Sequence, residues 1–424
     1  MKKALFPAAL VLVALATIPG AYARPDATAR PAAAVPGITG TTITIGGTFP
    51  LSGPASLYAP IPRGMAAYFS YVNARRGTDG KRGVYGRQIV WKFYDDAYNP
   101  AQTVQLTNQL LLQDRVFAIV GSLGTEHNIA IRPLLNQRKV PQLLVSTGAS
   151  YWGLQGSQFP WTIGWQPDYI AEAIAYGRWI VQNAPNAKIA VFFQNDDYGK
   201  DYLRGLKIGL GRRANLIVSE LGYEVTDSSY GSQIARQKAT GADTWVLLTT
   251  PTPTVRAIGT AKALNWKPET IVINSVAAVD SVMRAAAATA GADFVNGAVS
   301  SAYLKNPTNP TYANDKDVAS YKSIMSKYST GDPNNTFHYY GVAKAYDVVR
   351  LLYLAGRNPT RESLMAASLK MNWTNPYAIK GVTVKTGRRD RFPISAMRLI
   401  RYGNGSWSEF GALIDGRAPA TSNK

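Results

Sequence analysis

Cysteine is absent from this sequence, and histidine occurs only twice. The absence of cysteine excludes disulfide bonds, thiol catalysis and metal sites built on cysteine. Neither His127 nor His338 has a second histidine at the spacing of a metal-binding motif. The sequence also lacks the GxxxxGK[ST] phosphate loop and the GxSxG nucleophile elbow. We therefore predict that the protein is not an enzyme and holds neither a metal nor a cofactor.

Acidic residues are scarce, because 26 Asp and Glu face 46 Lys and Arg and leave a net charge of +20 at pH 7. This charge is compatible with nucleic acid, an anionic membrane surface or an anionic small ligand as the partner. The densest basic segment, residues 385–391, lacks the interleaved aromatic residues of a groove that binds single strands. We predict that it is a solvated loop and that the protein binds no nucleic acid.

Long apolar runs are missing after residue 23, so no later segment resembles a transmembrane helix. Residues 1–23 combine two early lysines, an apolar stretch over residues 4–18 and a small-x-small sequence ending at Ala23. This pattern predicts a signal peptide cleaved after Ala23 and export to the periplasm, with an N-terminal membrane anchor as the alternative. Residues 24–40, rich in Ala and Pro, are predicted to form a flexible leader.

Apolar residues make up 46% of the 424 residues, enough for two domains with sizeable cores. Short β-branched runs alternate with amphipathic helical patterns in two series, near residues 42–160 and 165–300. Such alternation predicts parallel sheets with helices on both faces, and therefore an α/β fold with two doubly wound lobes. The detailed expectations include a strand over residues 141–145, a polar loop over residues 146–156 and a strand over residues 294–300.

The stretch over residues 117–128 is a short apolar strand followed by a turn with two glycines, Ser122 and Thr125. A turn that leads into a helix leaves backbone N–H groups without partners inside the helix. These groups and the helix dipole favour an anion such as a ligand carboxylate. An ordinary strand-to-helix turn with a Ser or Thr cap is the alternative.

Ligands of doubly wound sheets bind outside the carboxyl ends of the strands. The predicted loops there are rich in Ser, Thr, Gly, Tyr and Asn, which bind through hydrogen bonds and flat apolar faces. They comprise residues 48–58, 121–128, 146–152, 194–199, 249–254 and 274–279. In the last two loops, Thr250 and Ser275 are predicted ligand contacts. His127, in the loop over residues 121–128, is a weaker candidate. The alternative is that each loop is only a soluble turn.

Four segments in this order resemble motifs of the leucine/isoleucine/valine-binding protein family, the type I periplasmic solute receptors of ABC transporters. They are residues 50–54 (PLSGP), 94–97 (YDDA), 120–124 (VGSLG) and 194–202 (QNDDYGKDY). The resemblance extends over about residues 42–410. It implies a monomeric, bilobed receptor that closes by a hinge around one small ligand and then docks on a membrane permease.

The resemblance also implies how the chain is divided between the lobes. The chain would cross between them three times, near residues 161–165, 299–303 and 379–384. The predicted parts are lobe 1 at 41–162 plus 301–380, lobe 2 at 163–300 plus 381–412, and a tail at 413–424.

The ligand contacts of the family fall on named residues of this sequence. Tyr58 corresponds to the aromatic residue at the cleft mouth, and Thr125 to the hydroxyl residue that holds the ligand carboxylate. Gly148 and Ser150 correspond to the second loop that binds the carboxylate. Tyr198 corresponds to the tyrosine of the second lobe.

The sequence departs from the family in two places. Tyr98 and Gly124 stand where the family has its disulfide cysteines. Residues 274–277 lack the glutamate that pairs with the ammonium group of an amino-acid ligand. Because an unpaired buried ammonium is costly, a standard amino acid fits this loop poorly. Glu126 is a candidate replacement for the missing acid.

We therefore predict a solute receptor of an ABC importer for a small carboxylate, such as an aromatic or another organic acid, with Trp152 as a further aromatic wall. A first alternative keeps a branched-chain or related amino acid as the ligand, with Glu126 or Asp280 as the ammonium partner. A second alternative is a ligand-sensing ectodomain or adaptor without transport. An exported hydrolase has no nucleophile–base pair to support it.

Overall fold

The structure, a computed structural model, describes Met1, residues 35–77 and residues 79–416. The predicted signal peptide after Met1, most of the predicted leader and residues 417–424 of the tail lie outside the described residues. No helix within residues 35–77 and 79–416 combines the length and apolar character needed to cross a membrane.

The described residues contain thirteen strands and thirteen α-helices. The strands are β1 (Thr42–Phe49), β2 (Gln88–Asp95), β3 (Ile119–Val120), β4 (Gln142–Leu143), β5 (Ile189–Gln194), β6 (Ile217–Tyr223), β7 (Thr244–Leu248), β8 (Thr270–Ile273), β9 (Val299–Ala302), β10 (Asn372–Trp373), β11 (Val384–Lys385), β12 (Ala396–Gly403) and β13 (Ser406–Asp415). The helices are α1 (Pro60–Ala74), α2 (Pro100–Leu112), α3 (Thr125–Gln137), α4 (Tyr151–Leu154), α5 (Tyr169–Asn183), α6 (Asp197–Leu210), α7 (Gly231–Ala239), α8 (Pro251–Ala263), α9 (Asp280–Ala290), α10 (Ala292–Val295), α11 (Lys316–Tyr328), α12 (Thr336–Ala355) and α13 (Arg361–Ser368).

Two main sheets organise the chain. The first sheet has the strand order β2-β1-β3-β4, and all of its pairs are parallel. The second sheet has the order β13-β12-β9-β8-β7-β5-β6 and is parallel from β6 to β9. At its other edge β12 and β13 pair antiparallel. The predicted α/β architecture with two parallel sheets is confirmed.

The parallel pairing places the loops after the strands together. Central strands such as β7 are buried along their whole length, as expected where helices cover both faces of a sheet. In the first sheet, Val120 of β3 pairs with Leu143 of β4, so the loops after both strands leave the sheet at one level. The carboxyl edge of each sheet is therefore lined with polar loops.

Helices from the C-terminal half of the chain return to the first sheet. Both α11 and α12 pack against α1, although β9, which precedes them, belongs to the second sheet. The chain then returns to the second sheet with β12 and β13. This path is compatible with the predicted three crossings, but the lobe boundaries drawn from the sequence stay predictions.

Two local predictions were wrong. Residues 292–295 form helix α10, so the strand predicted over residues 294–300 begins only at Val299. The turns on either side of α10 contain Gly291 at φ 97° and Gly297 at φ 89°. Phe294 packs into the hydrophobic core around the second sheet. Such positive φ angles suit glycine because it carries no Cβ.

The second wrong prediction concerns the strand over residues 141–145. The strand β4 ends at Leu143, because Leu144 adopts a φ of 52° that does not continue a strand. The polar loop predicted after it contains the short helix α4.

Close packing of α1 on α12 depends on Gly341. A Cβ at this position would lie 2.1 Å from the Ile61 carbonyl oxygen. We predict that Gly341→Ala forces the two helices apart and lowers the free energy of unfolding by about 1–3 kcal/mol in urea titrations.

The matched control is Gly231→Ala, at the first residue of α7, where an added Cβ meets no atom within 4 Å. This variant should keep or slightly raise the stability, because alanine favours helix more than glycine does. Equal stability of the two variants would contradict the proposed role of Gly341.

Candidate functional site

A cavity of about 1140 Å³, counting the solvent-open space at its mouth, lies where the loops of the two sheets face each other. Such concave, largely aromatic spaces are typical ligand sites. Its wall includes Tyr58, Tyr98, Leu123, Gly124, Thr125, Ser146, Thr147, Gln166, Tyr169, Tyr198, Thr250, Ser275, Tyr303 and Tyr340.

Five of the eight predicted ligand contacts line this cavity. They are Tyr58, Thr125, Tyr198, Thr250 and Ser275. The remaining three, Glu126, Gly148 and Ser150, are not among its lining residues. All eight stay predictions as ligand contacts, since no bound molecule tests them.

Thr125 is the first residue of α3, and it follows Gly124, whose φ of 103° turns the chain from β3 into the helix. Its hydroxyl lies 2.6 Å from the hydroxyl of Thr147. The two hydroxyls therefore meet at the N-terminus of a thirteen-residue helix, whose dipole favours negative charge. The sequence reasoning missed Thr147, although it lies in the predicted loop over residues 146–152.

Ser150 and its neighbour connect the two sides of the cleft. The backbone N–H of Ser150 donates to Asp201 of α6 at 2.9 Å, and its hydroxyl donates to the same oxygen at 3.1 Å. The Tyr151 hydroxyl donates to Asp197 at 3.1 Å. Because the loop after β4 belongs to the first sheet and α6 to the second, these bonds join the two sides of the cleft.

Glu126 contributes to the same contact between the sheets. One of its carboxylate oxygens accepts a hydrogen bond of 3.2 Å from the backbone N–H of Asp197 at the start of α6. Gly148 lies beside the cavity, where its carbonyl accepts from the backbone N–H of Tyr169 at 2.8 Å. A Cβ at Gly148 would come within 2.3 Å of the Pro167 carbonyl oxygen, so only glycine fits this approach.

Several tyrosine rings contribute to the cavity wall. Burial raises the pKa of Tyr58 and of Tyr198 well above the ordinary value, so both hydroxyls stay neutral. Tyr198 accepts a 2.5 Å hydrogen bond from the side chain of Asn274, and its ring meets that of Tyr169 edge-on at 5.2 Å. Trp152, expected as a further wall, packs instead with Val145 and Ala149. The tyrosines offer flat apolar faces and neutral hydroxyls to a ligand.

A buried cation, Lys344 of α12, lies behind this wall. Its ammonium group donates to Leu144 O at 2.8 Å, Ser146 Oγ at 2.5 Å and Tyr340 OH at 3.1 Å. Burial lowers the pKa of Lys344 well below the ordinary value, while the charge of Asp347 opposes this shift. The sequence signal that points to it is a lysine within an otherwise apolar helical run.

Lys344 fixes the direction of the polar groups that face the cavity. An ammonium group only donates, so the two hydroxyls it contacts turn their own hydrogens elsewhere. Ser146 donates to Gly121 O at 2.6 Å, and Tyr340 donates to Gln166 Oε1 at 2.7 Å. The Gln166 amide then donates to the hydroxyl of Tyr169 at 3.2 Å.

The carboxylates that line the cavity already have donors. Asp280 accepts from Asn306 at 3.0 Å, from Thr308 and Ser406, and from the backbone N–H of Trp407 at 3.1 Å. Glu409 accepts from Tyr312 and Arg398. An ammonium group of a ligand would have to compete with these donors at either position.

A further acid, Glu172 of α5, takes up the donors of the loop after β8. Its carboxylate accepts from both the backbone N–H and the hydroxyl of Ser275, each at 2.8 Å. The Tyr176 hydroxyl adds a third donor at 2.6 Å. The loop without a glutamate of its own therefore has a buried carboxylate behind it, which the sequence did not reveal.

His127 lies beside the cavity. Its ring stacks on that of Tyr98, which does line the cavity, with 4.3 Å between the centroids. Burial lowers the pKa of His127 from 6.5 to about 4, and an interaction with the Tyr98 backbone opposes this only in part. The imidazole is therefore neutral at physiological pH.

Residues 42–406 match the model of a family described as periplasmic binding protein. The chain belongs to this family, whose members are solute-binding proteins, and the resemblance noted in the sequence is confirmed.

Individual relatives have low sequence identity to this chain. A Leu/Ile/Val-binding protein homologue from Brucella melitensis is 24% identical over 205 residues, which cover 47% of this chain and 52% of that protein. The chain thus spans only about half the length of this curated relative.

Two solved structures share the fold. A branched-chain amino acid ABC transporter protein from Thermus thermophilus, with bound valine, superposes with a TM-score of 0.75 at 16% identity, over 88% of this chain and 97% of that one. A solute-binding protein from Rhodopseudomonas palustris, in complex with 4-hydroxybenzoate, superposes with a TM-score of 0.71 at 18% identity, over 88% and 97%.

The low pKa of His127 predicts a specific pH dependence. The unfolded chain protonates this histidine near pH 6.5 and the folded protein only near 4, so the unfolded state gains protons first as the pH falls. When the pH falls from 7 to 5, protonation of this histidine in the unfolded chain should lower the free energy of unfolding by about 2 kcal/mol.

The measurement is urea unfolding of the protein and of His127→Phe at both pH values. Carboxyl groups titrate in both proteins, so the difference between the two pH dependences isolates His127. The expected outcome is a weaker loss in the variant, together with an NMR signal of His127 that titrates near pH 4. An imidazole signal that titrates near 6.5 would refute the assignment.

Proposed function

We propose that the protein is the periplasmic solute-binding protein of an ABC importer and captures a small carboxylate, such as an aromatic or another organic acid. The observation that carries this proposal is the meeting of the Thr125 and Thr147 hydroxyls at the N-terminus of α3, on the wall of a tyrosine-rich cavity. Two hydroxyls and a positive helix end suit a carboxylate, and the tyrosine rings suit an aromatic body.

An acid without an amino group fits the charges better than an amino acid does. The two lining carboxylates, Asp280 and Glu409, already accept hydrogen bonds, so an ammonium group would lack a free partner among the described residues. The Rhodopseudomonas palustris relative holds 4-hydroxybenzoate, which agrees with this choice.

A branched-chain or related amino acid is the second candidate. The Thermus thermophilus structure holds valine, and the curated relative is a Leu/Ile/Val-binding protein homologue. In this candidate Glu126 or Asp280 would have to exchange its present donors for the ligand ammonium.

The proposal includes closure of two lobes around the ligand, with the boundaries and the three crossings drawn from the sequence. The bonds from Ser150 to Asp201 and from Tyr151 to Asp197 support a closed state, because each joins the loops of one sheet to a helix of the other. The closed protein would then deliver its ligand to a permease in the inner membrane. We further propose that the protein is exported, cleaved after Ala23 and monomeric.

Removal of the paired hydroxyls tests the carboxylate site. We predict that Thr125→Val and Thr147→Val each weaken binding of 4-hydroxybenzoate, or of the organic acid that binds best, by about tenfold, since a charged acceptor loses a donor. The measurement is isothermal titration calorimetry with a panel of organic acids and with leucine and valine.

The control is Thr103→Val, which removes a buried, hydrogen-bonded hydroxyl of α2 that does not line the cavity. Its affinity should equal that of the unchanged protein. Tight leucine binding with no binding of any organic acid would overturn the choice of ligand in favour of the second candidate.

A further inference from the structure

The cavity continues beyond the hydroxyl pair and the tyrosine wall. Its farther part lies near the antiparallel edge of the second sheet and is lined largely by apolar side chains, among them Val279, Leu304, Phe337, Ile379 and Ile400. All but Leu304 are buried. A ligand that reaches past the tyrosines would place its apolar atoms against these side chains.

Two polar atoms in this farther part have no partner. The indole Nε1 of Trp407 and the Oγ1 of Thr336 are buried and accept or donate no hydrogen bond among the described residues, and both side chains line the cavity. Trp407 is only 3% exposed. A buried donor without a partner is costly, and an acceptor on a ligand beside the Trp407 ring would remove this cost.

The charged groups of this region form hydrogen bonds or ion pairs within the protein. Lys305 pairs with Asp315 at 2.8 Å and with Asp317 at 3.2 Å. Asp280 and Glu409 have the donors already described. Among the described residues, each charged group of the farther part already has hydrogen-bond partners, which favours a neutral ligand group there over a second ionic one.

We infer that the cavity contains a distal subsite, defined by Val279, Leu304, Phe337, Ile379, Ile400 and Trp407, and that the ligand is an elongated acid. This inference rests on the proposed function for the position of the carboxylate at Thr125 and Thr147. The body of the ligand runs past the tyrosines, and its far end is apolar and carries one neutral oxygen that accepts from the Trp407 indole. A phenylalkanoic acid with a ring ether or hydroxyl belongs to this chemical class.

The test is calorimetry of the protein with a series of defined probes: benzoate, 4-phenylbutanoate, 6-phenylhexanoate and 6-(4-methoxyphenyl)hexanoate. Each methylene that enters the distal subsite should raise the affinity about fourfold until the space is filled. The methoxy oxygen should add roughly fivefold through the Trp407 indole.

Variants separate the distal subsite from the carboxylate site. Trp407→Phe and Thr336→Val should remove all or part of the gain from the methoxy oxygen and leave benzoate binding unchanged. Val279→Phe, which fills the subsite, should weaken the long acids at least tenfold and spare benzoate. The control is Trp266→Phe, which removes an indole donor bonded to Ala242 O in the core and should leave the whole series unchanged.

Each outcome either supports or overturns the distal subsite. Equal affinities for short and long acids, or an equal loss of benzoate and long acids in Trp407→Phe, would overturn the distal subsite, as would no binding of any probe. The primary amides of the same acids distinguish the two proposals. Amides that bind as tightly as the acids and still gain with length would overturn the carboxylate function and support the distal subsite.

Discussion

The hydrogen bond between Thr125 and Thr147 depends on the parallel pairing of β3 with β4. Ile119 pairs with Gln142 and Val120 with Leu143, and the pairing continues past the strands in a bridge between Leu123 and Ser146. Two loops that leave neighbouring parallel strands at one level bring their first side chains together. A helix begins in one of these loops, so the meeting point also receives the positive end of a dipole.

The groups behind the cavity restrict what its surface can donate and accept. Lys344 directs the hydroxyls of Ser146 and Tyr340, and Glu172 occupies both donors of Ser275. Each of these charges is buried and satisfied within the protein, as a low-dielectric interior requires. The part of the cavity wall near Thr125 is therefore a surface of tyrosines and hydroxyls whose orientation is set from behind.

Several residues connect the two sides of the cleft instead of lining the cavity. Hydrogen bonds join Ser150, Tyr151 and Glu126 to residues of α6 across the cleft. If the cleft closes around its ligand as proposed, the affinity is coupled to these contacts, because they and the ligand both stabilise the closed state.

The amino-acid sequence by itself determined the architecture and five of the residues on the cavity wall. Alternating apolar patterns indicate parallel sheets whatever the later packing, and the loops at the strand ends contain Tyr58, Thr125, Tyr198, Thr250 and Ser275 because sheet topology places them there. Only the tertiary structure decided that Thr147, and not Ser150, meets Thr125. It also placed Lys344 and Glu172 behind the wall. Trp407 lines the same cavity although it lies 282 residues after Thr125 in the chain. The reason is physical: local patterns specify which face of an element is buried, whereas contacts between distant segments follow from how the packed elements share space.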